Sequence, residues 1–429
     1  MKVCVFGLWH LGCVTAACLA ELGIEVVGLD FDEKTVSKLK KSIAPIFEPG
    51  LNELISKNLN INLTFTTDLT SALKDADYLW ITFDTPVDDQ DNADVSYILD
   101  STEKVFECFN TNIKIIISSQ VPVGSTRRLI DSYNESVNKR NVKFCYSPEN
   151  LRLGKAIDIF LQPDRIVIGS ELNDRDEYEK LFSKISKDLV WMSIESAEVT
   201  KHAINAFLAT SATFANEIAT ICEHVSADAK EVEIGLKTEQ RIGVRAYVAP
   251  GSAIAGGTLN RDIVFLNKLA SEFNFSASLL NGVKVSNDSH KMWAKYKASQ
   301  QLGGVQGKNI GILGLTYKPG TDTLRRSLAI EICNELHSEG ATIKAFDPSI
   351  KKIEDTNLDF IELMENTSKV FSDADCVILC TEWSDFKNCL DRDNIDTMSN
   401  RLVIDCNGFM LNTAKRHTED LQYITFGRK

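Results

Sequence analysis

Two residues four apart, Lys201 and Asn205, stand in a stretch without Gly or Pro, Ser196–His224 (SAEVTKHAINAFLATSATFANEIATICEH). That spacing puts both on one face of a helix, and Asn216, three turns on, falls near the same stripe. Its apolar residues (Val199, Ala203, Ala206, Phe207, Phe214, Ile218, Ile221 and Cys222) recur at helical spacing, predicting one long helix buried on most of its circumference. A Lys and an Asn in such surroundings are costly unless paired or put to use, so both are candidate functional residues. The plainer alternative is a solvated strip, with Lys201 reaching water along its own stem. A second group of residues suits phosphate. Lys2–Phe6 ends at Gly7-Leu8-Trp9-His10-Leu11-Gly12, a helix pattern runs from Leu11 to Leu22, and Ile24–Leu29 ends at Asp30. A strand, a glycine turn, a helix and a strand closed by a carboxylate form a dinucleotide-binding unit. Phosphates sit on the helix N-terminus, and the carboxylate takes the adenosine ribose hydroxyl. Asp30 would repel a 2′-phosphate, predicting NAD over NADP. The middle glycine of the fingerprint, which lets the backbone approach the pyrophosphate, is replaced by Trp9.

Elements able to position these groups follow in order. Apolar runs at Tyr78–Phe83, Ile113–Ser118 and Val142–Tyr146 each end in small or polar residues, Thr85-Pro86, Val121-Pro122-Val123-Gly124 and Ser147-Pro148-Glu149. Loops at the C-terminal ends of parallel strands build sites in open sheets. Strands at Arg165–Ile168 and Leu189–Ile194 complete this half. After the long helix comes Pro250–Asp262, a small-residue loop whose backbone N–H groups could wrap a ligand; the alternative is a mobile linker. A second α/β unit then runs from Asn309–Leu313 and Gly314 through a helix at Leu328–Leu336 to strands at Thr342–Phe346, Cys376–Cys380 and Leu402–Asp405. The fold class is α/β, with two Rossmann-like doubly wound domains joined by a long central helix. The expected divisions are residues 1–195 for the first α/β domain, 196–300 for the central helix and the region after it, and 301–429 for the C-terminal α/β domain.

Composition narrows the function classes. A chain of 429 residues with formal net charge −13 is no sequence-independent nucleic-acid binder and does not cling to anionic membranes. The eleven Cys form no C-x-x-C pair and complete no zinc site, so no metal is expected. With neither a signal peptide nor a long apolar span, the expectation is a cytoplasmic protein with reduced thiols.

The residues resemble the nucleotide-sugar dehydrogenase family, whose best-known members are UDP-glucose and UDP-N-acetylmannosamine 6-dehydrogenases. Pro45-Ile46-Phe47-Glu48-Pro49-Gly50-Leu51, Pro148-Glu149-Asn150-Leu151-Arg152, Lys201 with Asn205, Arg241-Ile242-Gly243, and Lys318, Thr321, Asp322, Arg325 and Ser327 match its motifs in order. Phe346-Asp347-Pro348 and Thr381-Glu382-Trp383 match as well. The resemblance implies two oxidations by NAD of the sugar 6-hydroxyl. Lys201, Asn205 and Asp262 serve the first, Glu149 is the nearby carboxylate, and a cysteine traps the aldehyde as a thiohemiacetal. Cofactor contacts carried over are Gly7, Leu8, His10, Leu11, Gly12, Asp30, Thr85, Pro86, Gln120, Arg261 and Arg325. Substrate contacts are Leu151, Arg152, Tyr247, Gly251 and Lys318, with Arg241 reaching the sugar of a neighbouring subunit in a homodimer.

Departures from the family pattern concern the second oxidation. An ungapped match over Pro250–Asp262 places Thr258 at the cysteine position, and a Thr hydroxyl without a base beside it is a far weaker nucleophile. The second carboxylate position is Leu153, the Thr of the S-T-V-P turn is Gln120, and a late Arg-Asn pair that contacts the nucleotide reads Asn407-Gly408. Cys145, at a strand end, reads as a small buried hydrophobe. Three functions compete: a nucleotide-sugar (UDP-sugar) dehydrogenase that stops after one hydride transfer or runs it in reverse; full oxidation to the acid through an aldehyde hydrate; and a non-catalytic nucleotide-sugar binder.

Overall fold

A computed structural model describes residues 1–85, 95–109, 112–135, 141–255, 257–416 and 420–428. The chain divides into two compact units, Met1–Ala203 and Ile204–Lys429. The first is built on strands β1 (Lys2–Phe6), β2 (Glu25–Leu29), β3 (Leu63–Thr66), β4 (Tyr78–Ile81), β5 (Lys114–Ile117), β6 (Lys143–Tyr146), β7 (Ile166–Ser170) and β8 (Leu189–Met192). They lie in the order β3-β2-β1-β4-β5-β6-β7-β8, all parallel to their neighbours except at β6–β7. The second unit holds β9 (Asn309–Leu313), β10 (Thr342–Phe346), β11 (Ile361–Leu363), β12 (Cys376–Leu379), β13 (Leu402–Asp405) and β14 (Gln422–Thr425), all parallel, in the order β11-β10-β9-β12-β13-β14. In both sheets the chain leaves the first strand in one direction and returns on its other side, between β1 and β4 and between β9 and β12. Crevices at such reversals are where doubly wound sheets bind ligands.

Strand residues alternate between two cores, as a sheet covered on both faces requires. Val3 and Val5 enter one apolar cluster, and Cys4 and Phe6 the other. In the second unit Cys376 and Ile378 face one cluster, Val377 and Leu379 its opposite. The helices that matter here are α1 (His10–Glu21), α2 (Ser125–Glu135), α3 (Ala156–Leu161), α4 (Ile194–Val225), α5 (Gly257–Glu272), α6 (Ser278–Lys291) and α7 (Leu328–Ser338). Helix α1 is buried from Leu11 to Ala20, and its Gly, Ala and Cys content lets it lie close on the sheet.

The long helix forms as expected, but its covering differs. Of the eight apolar positions that defined it, only Ala206 and Cys222 are buried, while Val199, Phe207, Phe214 and Ile221 are exposed. The covered face instead carries Glu198, Lys201, His202, Asn205, Thr213 and Asn216 among small residues. Periodicity identifies a helix and its faces, not which face its own chain covers. A second difference concerns Pro250–Asp262: helix α5 begins at Gly257, so Thr258 and Asp262 are helical and not part of a loop. Among the described residues no helix is long and apolar enough to cross a membrane, and no cluster of three or more His, Cys, Asp or Glu is placed to hold a metal.

Candidate active site

The glycine turn after β1 has the geometry its sequence demanded. Gly7 takes φ +98°, and a Cβ there would lie 2.7 Å from the Phe83 ring. A Cβ on Gly12 would come within 1.8 Å of the Gly7 carbonyl, so this position must stay bare for α1 to pack. The first intrahelical bond runs from Cys13 N–H to Trp9 O (2.9 Å), which leaves the amides of His10, Leu11 and Gly12 at the helix start for an anion. Leu8 and Leu11 are buried beneath them, whereas Trp9 is half exposed. Asp30 Oδ2 accepts the Leu8 N–H (2.7 Å) and Oδ1 the Asp32 N–H (2.9 Å), so each oxygen keeps a lone pair for a ribose hydroxyl. These features fit an NAD, which this turn, α1 and Asp30 would hold.

The same construction recurs in the second sheet. Gly314, at φ +87°, follows β9, and the next amide, Leu315, donates to Asp347 at the end of β10 (2.8 Å). Asp347 Oδ2 also accepts from Thr316 N–H, Thr316 Oγ1–H and Trp383 Nε1–H. Burial opposes its charge, but hydrogen bonds from Ser349, Thr316 and Leu315 outweigh it and hold the carboxyl below its usual range. Asp347 is thus consumed by structure where Asp30 is not.

His10, at the start of α1, meets buried Glu48 through Nε2 (2.8 Å). Glu48 also accepts the Gly154 N–H (2.8 Å) and the Ala156 N–H (2.9 Å), fastening the segment after Arg152 and the start of α3. Burial favours a neutral Glu48, yet the Gly154 amide, His10 and the Ala156 amide together draw its carboxyl below the ordinary value. Sequence reasoning quoted Glu48 in a motif without giving it a task. Thr85 Oγ1 donates to the Gln120 carbonyl (2.5 Å), tying the loop after β4 to the loop after β5; Pro86 lies outside the described residues.

Lys201 does not reach for water. It is 6 % exposed, and its Nζ donates to the backbone carbonyl of Glu149 (2.6 Å) and to Glu149 Oε1 (3.2 Å). Glu149 Oε2 in turn accepts the Leu151 N–H (2.8 Å), so the segment carrying Leu151 (half-buried) and Arg152 (exposed) folds around the carboxylate. Two further polar residues on this face of α4 had escaped notice. Glu198 accepts the N–H groups of Gly124 (2.6 Å) and Thr126 (2.9 Å), and His202 Nε2 meets the Val121 carbonyl (3.1 Å). A carboxylate within an apolar repeat, three residues before a buried Lys, was the available signal. Cys145 is wholly buried in β6, and burial pushes its thiol well above its ordinary value; it is no nucleophile.

In the second unit Asn205 Nδ2 donates to fully buried Asp262 in α5 (2.5 Å). Arg261 is half-buried beside it in sequence, and Thr258 is exposed in the first turn of α5, with no side chain bonded to its hydroxyl among the described residues. Residues 251–254 are well held. Gly251 N–H donates to Asn216 Oδ1 (3.0 Å), Gly251 O accepts from His290 Nε2 (2.8 Å), and Asn287 of α6 bonds both polar groups of the Ile254 backbone. Asn407 Oδ1 accepts the Ser252 N–H (2.7 Å) and lies 2.6 Å from where a Cβ on Gly251 would stand. The mobile-linker alternative does not describe them. Tyr247 and Arg241 are exposed, and Arg241 pairs with Glu239. Lys318 is half-buried, its carbonyl accepting from Thr321, and Arg325 is exposed ahead of α7.

Comparison with known proteins agrees with this anatomy. Residues 1–187 match the NAD binding domain of the UDP-glucose/GDP-mannose dehydrogenase family, 195–289 its central domain and 311–412 its UDP binding domain. The chain is 34% identical over its whole length to the UDP-glucose 6-dehydrogenase of Rickettsia conorii, covering all of that protein. It is also 34% identical to the UDP-glucose 6-dehydrogenase TuaD of Bacillus subtilis, over 90% of this chain and 84% of the relative. A solved UDP-glucose dehydrogenase from Pyrobaculum islandicum superposes with a TM-score of 0.85 at 26% identity, covering 94% of this chain and 93% of that one.

Proposed function

The chain belongs to the UDP-glucose/GDP-mannose dehydrogenase family, and from that premise we propose that it oxidises the 6-hydroxyl of a UDP-hexose only as far as the aldehyde, or runs that step in reverse. It is an NAD-dependent oxidoreductase acting on a CH–OH group of a nucleotide sugar. The finer reading rests on Thr258, which stands exposed and, among the described residues, without a base on its hydroxyl, while Lys201, Glu149, Asn205 and Asp262 are buried or bonded in defined pairs. Bound NAD supplies the hydride acceptor. Lys201 Nζ, held by the Glu149 carbonyl and carboxylate, orients the water that takes the hydroxyl proton. Asn205 gives one amide N–H to Asp262 and keeps the other for the oxygen that gains charge. No thiol belongs to the segment that carries Thr258, so the aldehyde is not captured as a thiohemiacetal. In this reading residues 1–195, 196–300 and 301–429 divide cofactor binding, active-site and dimer region, and nucleotide-sugar binding. Two chains pair through the exposed apolar stripe Val199, Phe207, Phe214 and Ile221 of α4, with Arg241 reaching across.

The test counts NADH formed per sugar consumed, anaerobically, across UDP-, GDP- and CDP-sugars. One NADH per sugar, with a trappable aldehyde and an active Thr258→Ala variant, is expected. Two NADH per sugar would overturn the single-step reading. If Thr258→Ala were then active, hydration of the aldehyde would explain the second oxidation; an ester on Thr258 in intact-mass spectra would make Thr258 the nucleophile.

A further inference from the structure

We infer that Glu198 is a positioning residue for the nicotinamide half of the cofactor, acting through the loop that follows β5. Its carboxylate is 0 % exposed, and its two oxygens take the N–H groups of Gly124 and Thr126 at the start of α2, an eleven-residue helix. One turn on, His202 fixes the Val121 carbonyl, and Gln120, at the head of the same loop, receives the Thr85 hydroxyl. Residues 120–126 are therefore held at four points, three of them by side chains on the covered face of α4. Between Glu198 and His202 in sequence lies Lys201, which holds the next loop through the Glu149 carbonyl. Three side chains on five consecutive residues of one helix thus set the loops after β5 and β6 in register with each other.

The sheet order says which half of a dinucleotide this serves. The chain reverses between β1 and β4. Asp30, after β2, marks the adenosine side of that crevice, so the nicotinamide extends over the loops after β4 and β5, where Thr85 and Gln120 are joined. Removing the charge from water raises the Glu198 carboxyl above its ordinary value, while hydrogen bonds from Thr126 and Gly124 oppose that shift. A buried carboxylate placed only to cap α2 would have no effect peculiar to one end of the cofactor. A loop-positioning carboxylate would.

This inference rests on NAD dependence and not on which sugar is oxidised or how far. The experiment uses the full chain without sugar. NADH binding by fluorescence and ADP-ribose binding by calorimetry are compared in the wild type and in Glu198→Gln, whose amide can accept only one of the two N–H groups and turns a donor toward the other. NADH affinity should fall about tenfold, the effect of one buried amide left unpaired, with ADP-ribose affinity within twofold. Equal weakening of both ligands, or no weakening of either, overturns the inference. If Glu198→Gln does not fold, His202→Leu, which removes the Val121 anchor and leaves Glu198 intact, decides by the same comparison.

Discussion

Replacing Lys201 with Met keeps most of the side chain's bulk and removes the ammonium. Two hydrogen bonds are lost, to the Glu149 carbonyl at 2.6 Å and to its Oε1 at 3.2 Å. Bonds from a charged donor contribute about 1.5–3 kcal/mol net, and the carboxylate, whose side chain is 23% exposed, can regain water once the Lys is gone. A stability loss of about 2 kcal/mol follows, or about 4–8 °C in the melting temperature of a unit the size of Met1–Ala203. Against a total stability of roughly 5–15 kcal/mol, that leaves nearly every molecule folded at 25 °C. Catalysis should suffer far more: loss of the group that positions the proton acceptor costs about 10²–10⁴-fold in turnover. The assay pairs kcat, measured on whichever nucleotide sugar turns over, with a thermal melt and an NAD titration. Turnover should collapse while NAD affinity stays within twofold. A variant that melts several degrees lower yet turns over within tenfold of the wild type would refute the reasoning, leaving Lys201 as a clamp on Glu149 and nothing more.

Three other outcomes follow from the same geometry. Asp30→Ser should remove the charge that repels a 2′-phosphate and narrow the preference for NAD over NADP, measured as the ratio of the two kcat/KM values; an unchanged ratio would mean Asp30 serves only the Leu8 and Asp32 amides. Glu48→Gln should destabilise the protein by about 2 kcal/mol at pH 7 in urea unfolding, since Glu48 is buried and its two oxygens accept from three donors. Because the folded carboxyl lies below its unfolded value, its stabilisation is present above the ordinary Glu range near pH 4.5 and fades as pH falls through the folded value, so the wild type should lose stability on acidification more steeply than the variant. Phe207→Glu, at an exposed position of the α4 stripe, should convert a dimer to monomers by sedimentation at micromolar concentration; a monomeric wild type with full activity would contradict the proposed pairing.

The strands that could be read in advance are those with continuous apolar runs, such as β1, β4, β5, β9 and β12. The three unread strands, β3, β11 and β14, all lie at sheet edges. They are short and only partly covered, so their sequences lack the unbroken hydrophobicity of a strand buried on both faces. The glycine turn and Asp30 were legible because phosphate and ribose binding are local matters of backbone conformation and strand endings. Lys201 could be marked as unusual, since a Lys in an apolar repeat is conspicuous, but its partner lies 52 residues away with no periodicity joining them. Glu48 and Glu198 went unrecognised for the same reason: their donors, at Gly154, Ala156, Gly124 and Thr126, are backbone groups, and every residue type except Pro offers one.

By itself the sequence determined the order and kind of most elements, the doubly wound class, the dinucleotide turn and the residue at each family position, Thr258 included. These depend on periodicity, on glycine at places a Cβ would fill, and on motifs a few residues long. Tertiary structure alone decided which face of α4 the chain covers, leaving Phe207 and Phe214 exposed and enclosing Glu198, Lys201 and His202. It also decided what each buried charge is for. Helical spacing tells which residues share a face; only the packing of chain segments far apart in sequence decides whether that face meets water, apolar side chains or the amides of a loop, and a buried carboxylate or ammonium takes its role from whichever of these it meets.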